Sequence, residues 1–98
     1  MSDEPEIINN PDRHQFERHD GEHLSRLKYR IDGNVIDLLH TEVPPALRGR
    51  GIADRLAQAA LAWAAEEDML VRPTCPFVKA YLKRHPTTSP KITGRLDD

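Results

Sequence analysis

The residues of this 98-residue chain best suited to chemistry run from Arg48 to Gly51, where arginine and glycine alternate. Arginine offers directed donors to phosphate or carboxylate groups, and glycine has no Cβ to keep such a group away from the backbone. A helical pattern follows, and the first N–H groups of a helix have no partner within the helix. These features predict an anion-binding loop. A plain strand-to-helix turn with two solvated arginines fits the same residues about equally well.

The glycine spacing excludes two common phosphate-binding motifs. Gly51 is not followed by the Lys-Ser/Thr pair of a P-loop, and the Gly-x-Gly-x-x-Gly spacing of dinucleotide-binding folds is absent. The loop therefore belongs to neither of these two motif classes.

Two side chains that could take part in acyl or proton transfer flank this loop. His40 lies in the strand predicted before it, and imidazole changes its charge close to neutral pH. Cys75 directly precedes Pro76, where a helix is predicted to begin, and a helix N-terminus generally lowers the pKa of a thiol. The alternatives are a hydrogen-bonded strand histidine and an inert, buried cysteine.

A metal site is not expected. His19 and His23 have a spacing compatible with metal binding, but the turn residues Asp20 and Gly21 lie between them. The chain has one cysteine, so a zinc site built on paired cysteines is excluded.

Hydrophobic periodicity indicates the elements that position these residues. Leu27, Tyr29 and Ile31 share one face of a strand, and Asp32-Gly33-Asn34 turns that strand into the next. The predicted strands cover 7–8, 15–18, 23–31, 35–43 and 69–71, and the predicted helices cover 51–67 and about 76–85. This order indicates an α/β (α+β) domain.

Composition limits the function classes. Hydrophobic residues make up 38% and charged residues 31%, with a net charge of −2, which is typical of a globular domain and argues against a dedicated nucleic-acid binder. The acidic start containing Pro5 does not resemble a secretory signal, and no segment suits a membrane span. One cysteine favours a reducing, cytoplasmic setting. We expect a single domain over 1–98, with its core at about 6–86 and a mobile tail at 87–98.

The loop and its flanks resemble a known family. Arg48, Gly51 and Ala53 meet the motif Arg/Gln-x-x-Gly-x-Gly/Ala, which resembles the acetyl-coenzyme A pyrophosphate loop of GNAT-superfamily N-acetyltransferases. Three motifs in order resemble the minimal, single-domain GNAT subgroup: His40-Thr41-x-Val43-Pro44, Arg48-Gly49-x-Gly51-Ile52-Ala53 and Pro73-x-Cys75-Pro76-Phe77-Val78. The resemblance implies a twisted, mostly antiparallel sheet of about five strands with two helices. This sheet splays apart between its fourth and fifth strands.

The resemblance also implies roles for numbered residues. The backbone of the fourth strand, at Thr41 and Val43, is expected to pair with the pantetheine arm. The residues expected around the pyrophosphate are Arg48, Gly49, Arg50, Gly51, Ile52 and Ala53. Lys79, Lys83 and Arg84 could each reach the 3′-phosphate or be solvated, and Lys79 is the predicted contact. His40 is the candidate base, and Cys75 is expected to line the thioester site.

Two departures from the family pattern affect the acceptor side. Asn9 to Arg13 is too short for the two helices that larger members have there, and nothing resembling a strand follows Pro86, so we expect an open acceptor side. Aligning Cys75 with the asparagine of the family motif Asn-x-x-Ala-x-x-x-Tyr puts Leu82, not Tyr81, at the tyrosine position. One residue is about 100° of helix rotation, so Tyr81 is not assigned as the general acid.

The predicted activity is transfer of an acetyl group from acetyl-coenzyme A to an amine, either a small molecule or a protein lysine, without a metal. The alternative is a non-catalytic module that binds coenzyme A or acetyl-coenzyme A as a sensor or interaction protein. A thiol-redox role for Cys75 is disfavoured because the chain has no second cysteine. We expect a monomer or a weak homodimer that binds neither nucleic acid nor membrane.

Overall fold

Five strands form one mixed sheet in a computed structural model that describes residues 5–85 and Ile92. The strands are β1 (Ile8–Asn10), β2 (Gln15–Asp20), β3 (His23–Asp32), β4 (Val35–Glu42) and β5 (Leu70–Pro73). The helices are α1 (Ile52–Glu66) and α2 (Pro76–Arg84), with 3-10 turns at Pro11–Arg13 and Pro45–Leu47. The strand order is β1-β2-β3-β4-β5, antiparallel except for the parallel pair β4 and β5. The predicted fold class is therefore confirmed, and the predicted boundaries differ from these by one or two residues.

The sheet has one apolar face because directly paired residues of neighbouring strands lie on the same side. We call this the apolar face; it carries Phe16, Leu27, Tyr29, Ile36, Leu38 and Val71. Ile52, Leu56 and Ala60 recur every four residues on α1 and are buried. Together with Val78 and Leu82 of α2 they join the residues of the apolar face in one hydrophobic cluster.

The other side of the sheet is polar. We call it the polar face; by the pairing register it carries Gln15, Glu17, Arg26, Lys28, Asp37, His40 and Glu42. Several of its side chains pair with one another. Arg30 and Arg72 lie 3.6 and 3.7 Å from the buried carboxylate of Asp37, for example. Strands β3 and β4 therefore separate a packed side from a charged side.

Beyond His85, the structure describes Ile92 alone. Ile92 is half-buried and forms a parallel bridge with Val71 of β5. The rest of the predicted tail at 87–98 lies outside the described residues.

Candidate functional site

The strands β4 and β5 stay paired for four residues and then separate. Their register runs from Val35 and Leu70 to Leu38 and Pro73, and the Cys75 N–H donates to the Leu38 carbonyl at 2.7 Å. Proline has no N–H to continue the ladder, and the chain turns into α2 after Pro73. β4 runs on to Glu42 beside β3, with no described strand on its other side. Backbone groups of β4 are therefore open to a ligand there.

A β-bulge decides which side chains of β4 face each way. Lys28 pairs with His40, but the next residue of β3, Tyr29, pairs with Leu38, so Leu39 is an extra residue. Because side chains alternate along a strand, the extra residue exchanges the faces of everything after it. His40 consequently lies on the polar face, and Thr41 lies on the apolar face.

The loop after β4 leaves backbone N–H groups available at the start of α1. Gly51 caps the helix with a φ of 77° and no side-chain cap, and the first helical bond runs from Arg55 N–H to the Gly51 carbonyl at 3.2 Å. The N–H groups of Ile52, Ala53 and Asp54 therefore have no acceptor within the helix. A Cβ built on Gly49 or Gly51 would meet no heavy atom within 4 Å. This surface can accept an anion.

The free edge of β4 and the helix start line one cleft of about 900 Å³. Eight predicted site residues line it, namely His40, Thr41, Val43, Arg48, Gly49, Gly51, Ile52 and Ala53. Arg48 Nε donates to the Val43 carbonyl at 3.3 Å, which holds the guanidinium beside the cleft. The structure thus brings the predicted phosphate loop and the predicted pantetheine strand together.

Three predicted site residues do not line this cleft. Arg50 lies near Asp20, whose pKa is lowered mainly by a hydrogen bond from Arg18, with a smaller contribution from the charge of Arg50. Lys79 of α2 is half-buried and is not among the lining residues. Cys75 is only 2% exposed.

The thiol of Cys75 contacts Thr41 instead of the candidate base. Its Sγ lies 3.4 Å from Thr41 Oγ1, and either atom can be the donor. Thr41 is on the apolar face of β4, whereas His40 is on the polar face. The two predicted catalytic side chains therefore lie on opposite sides of the strand.

The two helices are linked at the mouth of the cleft, which the sequence analysis did not predict. Arg84 Nη2 lies 3.0 Å from Asp54 Oδ1, and the guanidinium lies 5.8 Å from the centre of the Phe77 ring. All three residues line the cleft. Phe77 and Arg84 are seven residues apart, about two helical turns, so their shared face could have been found from the spacing. The contact between Arg84 and Asp54 could not have been found in this way.

Glu42, another lining residue absent from the prediction, lies beside His40. His40 Nε2 is 3.2 Å from Glu42 Oε1, and 61% of the His40 side chain is exposed. A hydrogen bond from Arg26 is the main cause that lowers the pKa of Glu42. An exposed imidazole beside an ionised carboxylate can accept a proton from a bound molecule.

Among residues 5–85 and Ile92, no three His, Cys, Asp or Glu side chains are placed to hold a metal ion. In the same part of the chain, neither helix has the length and apolar character that crossing a membrane requires.

Known proteins are similar to this chain in sequence and in fold. The sequence pattern of the GCN5-related N-acetyl-transferase family matches residues 15–90. Protein NATD1 of Mus musculus is 52% identical over 66 residues, which cover 67% of this chain and 58% of that protein. Protein NATD1 of Homo sapiens is also 52% identical over 66 residues, covering 67% and 57%. The chain therefore spans somewhat more than half the length of these curated relatives.

A solved structure extends the likeness to the whole fold. The solution structure of a GCN5-like protein from Staphylococcus aureus superposes with a TM-score of 0.73 at 27% identity. The match covers 96% of this chain and 93% of that one. With the family pattern over more than three quarters of the sequence, the splayed strands and the glycine loop have one common explanation: this chain belongs to the GCN5-related N-acetyl-transferase family.

Proposed function

We propose that this protein transfers an acetyl group from acetyl-coenzyme A to an amine, carried by a small molecule or by a protein lysine. The observation that carries the proposal is the cleft itself. It joins an unpaired edge of β4 to a helix start whose N–H groups have no acceptor within the helix. Family membership supports the same activity.

The residues present fit this ligand at two places. The open space at Gly49 and Gly51, with the N–H groups of Ile52 and Ala53, suits a pyrophosphate, which favours a helix N-terminus. Arg48 adds a positive charge beside it. The open backbone edge from Thr41 to Val43 suits the amide groups of a pantetheine arm, as an added strand suits a sheet edge.

The bound thioester supplies an activated acetyl group, and the chain has to supply a neutral amine. A lysine-type amine has a pKa near ~10.4, so its deprotonation at pH 7 costs roughly 4–5 kcal/mol. His40 would accept the proton from the nitrogen as the new C–N bond forms. The C–S bond then breaks and its electron pair leaves with the sulfur. Open N–H groups of β4 would stabilise the negative charge that develops on the acetyl oxygen.

Direct transfer within a ternary complex is the proposed route. Cys75 is buried and contacts Thr41, on the opposite side of β4 from His40. This arrangement gives the thiol no histidine base among its described contacts, which favours attack by the acceptor amine over an acetyl-cysteine intermediate. Thr41, which lines the cleft, would then border the departing sulfur.

One observation favours a second candidate function, a non-catalytic module that binds coenzyme A. Tyr81 is 5% exposed and packs against the tilted ring of His85, and no tyrosine is among the residues that line the described cleft. A tyrosine acid for the departing thiolate is therefore missing from this cleft. Solvent can supply that proton, so catalysis does not require one.

The test is to incubate the protein with acetyl-coenzyme A and a panel of amines and peptides, following release of free thiol. Calorimetry with coenzyme A runs in parallel. We expect binding together with amine-dependent thiol release. Binding without release from any amine would support the non-catalytic module, and absence of binding would contradict both functions.

A further inference from the structure

The two oxygens of the Glu42 carboxylate contact different partners. Arg26 reaches one oxygen, Oε2, with both Nε at 2.9 Å and Nη2 at 2.8 Å. The other oxygen, Oε1, lies 3.2 Å from His40 Nε2. Arg26, Glu42 and His40 therefore form a chain of contacts that ends at the candidate base.

The register of the sheet produces this chain of contacts. Arg26 lies directly opposite Glu42, and His40 lies two residues before Glu42 on the same face of β4. His40 is on that face because of the bulge at Leu39. Without the extra residue, His40 and Glu42 would both lie on the apolar face, and Glu42 would no longer lie opposite Arg26.

The chain of contacts sets the hydrogen-bonding state of the imidazole. The hydrogen bond from Arg26 holds the pKa of Glu42 below its ordinary value, so Glu42 is a carboxylate at neutral pH and can only accept. His40 Nε2 must then be the donor. In the neutral ring this leaves Nδ1 as the nitrogen that accepts a proton.

We propose that Glu42, fixed by Arg26, is a positioning residue that orients the His40 ring and directs Nδ1 toward the acceptor amine. This inference rests on the proposed acetyl transfer, in which His40 is the base. Because the carboxylate also favours the protonated ring, it would stabilise the imidazolium formed during transfer.

Other charged groups around His40 do not replace this role. Lys28 lies directly opposite His40 on β3 and carries the same sign as the imidazolium. Arg48 lines the cleft beside Val43, and Arg84 pairs with Asp54. Glu42 is the carboxylate in contact with His40 among the described residues.

The chain of contacts can be broken without unfolding the protein. The exposed fraction is 61% for the side chain of His40, 45% for Glu42 and 30% for Arg26. Exposed ion pairs contribute little to stability. A loss of activity after substitution would therefore report on positioning, and the melting temperature checks this.

A double-mutant cycle on acetyl transfer tests the positioning role. We expect Glu42→Gln to lower kcat about tenfold, below the ~10²–10⁴-fold contribution of a general base, without changing KM for acetyl-coenzyme A. Adding Glu42→Gln to His40→Ala should have no further effect, because Glu42 acts through His40. Arg30→Gln is the matched control, since Arg30 is on the same face of β3 but pairs with Asp37. Independent losses, or a greater loss from Glu42→Gln than from His40→Ala, would overturn the proposal.

A second measurement does not depend on the proposed function. NMR records the contacts of the His40 ring protons with neighbouring side chains in the parent and in two variants. We expect the parent ring to hold one orientation, with Nε2 facing Glu42. Glu42→Gln and Arg26→Gln should both loosen this orientation, because the first removes the carboxylate and the second releases it from Arg26. Identical ring contacts in all three proteins would overturn the positioning role, whereas altered ring contacts without amine-dependent thiol release would contradict only the proposed acetyl transfer.

Discussion

Gly51 joins the loop to α1 with a φ of 77°, a backbone conformation that residues with a side chain rarely adopt. A valine there would be strained and would also project into the open space beside the helix start. We expect Gly51→Val to abolish coenzyme A binding measured by calorimetry. Undiminished affinity would remove this loop from the site.

Gly33 provides a matched control for this substitution. Its φ is 61°, and a Cβ there also meets no heavy atom within 4 Å. It lies in the turn between β3 and β4 and does not line the cleft. Gly33→Val should therefore lower the melting temperature through the same backbone strain while coenzyme A affinity stays close to that of the parent.

Arg48 and Arg50 flank the same glycine but have different surroundings. Arg48 is held beside the cleft by the Val43 carbonyl, whereas Arg50 lies near Asp20. Arg48→Ala should weaken coenzyme A binding by ~1–3 kcal/mol, the usual value of a charge-assisted contact. Arg50→Ala should weaken it less. Calorimetry on both variants decides this, and equal losses would contradict the orientation of Arg50.

Glu17 is a buried carboxylate whose ionisation makes the stability of the fold depend on pH. Burial alone would raise its pKa, but hydrogen bonds from Gln15, His19 and Asn10 outweigh burial and lower it from 4.5. A lowered carboxyl pKa contributes stability above the unfolded value, and this stability is lost as pH falls through the folded value. We expect the melting temperature to fall progressively below about pH 4.5.

The Glu17→Gln variant isolates this effect. It should melt at a lower temperature than the parent at pH 7 and show a shallower dependence on pH below 4.5. Glu66→Gln, at the exposed end of α1, is the control and should follow the parent curve. Parallel curves for Glu17→Gln and the parent would show that Glu17 does not link pH to folding.

At the scale of elements, α1 and α2 are joined at the cleft mouth by Asp54 and Arg84. Asp54 lies in the first turn of α1, where its charge would repel a bound pyrophosphate, and Arg84 offsets that charge at 3.0 Å. Arg84→Ala should therefore weaken coenzyme A binding, and adding Asp54→Asn should restore part of the affinity. A double variant that binds no better than Arg84→Ala would contradict this offsetting role of Arg84.

Local rules predict most elements because the determining residues are close together in sequence. Leu27, Tyr29 and Ile31 alternate on one strand, Pro76 occupies the first turn of α2, and the glycine loop lies between strand and helix. Such signals require no knowledge of the partner strand.

The features that the sequence did not predict depend on distant partners. The bulge at Leu39 exists only relative to β3, and it decides that His40 and Cys75 lie on opposite sides of β4. The pair of Asp54 and Arg84 joins residues 30 positions apart. Arg50 and Lys79 likewise do not line the described cleft, although the sequence predicted both as site residues.

At the scale of the whole molecule, the two faces of the sheet have different roles. The apolar face and both helices form the core, while the polar face presents His40 beside the cleft. We propose that the acceptor amine reaches His40 from the polar face. A protruding lysine or a small amine would both fit such an approach.

The steady-state rate of amine-dependent thiol release, at saturating acetyl-coenzyme A, tests the central claim most directly when parent and His40→Ala are compared. We expect the parent to release thiol only when an accepted amine is present. His40→Ala should be ~10²–10⁴-fold slower, with coenzyme A affinity and melting temperature nearly unchanged. Equal rates in the two proteins would contradict the assignment of His40 as the base, and no release by the parent with any amine would contradict acetyl transfer itself.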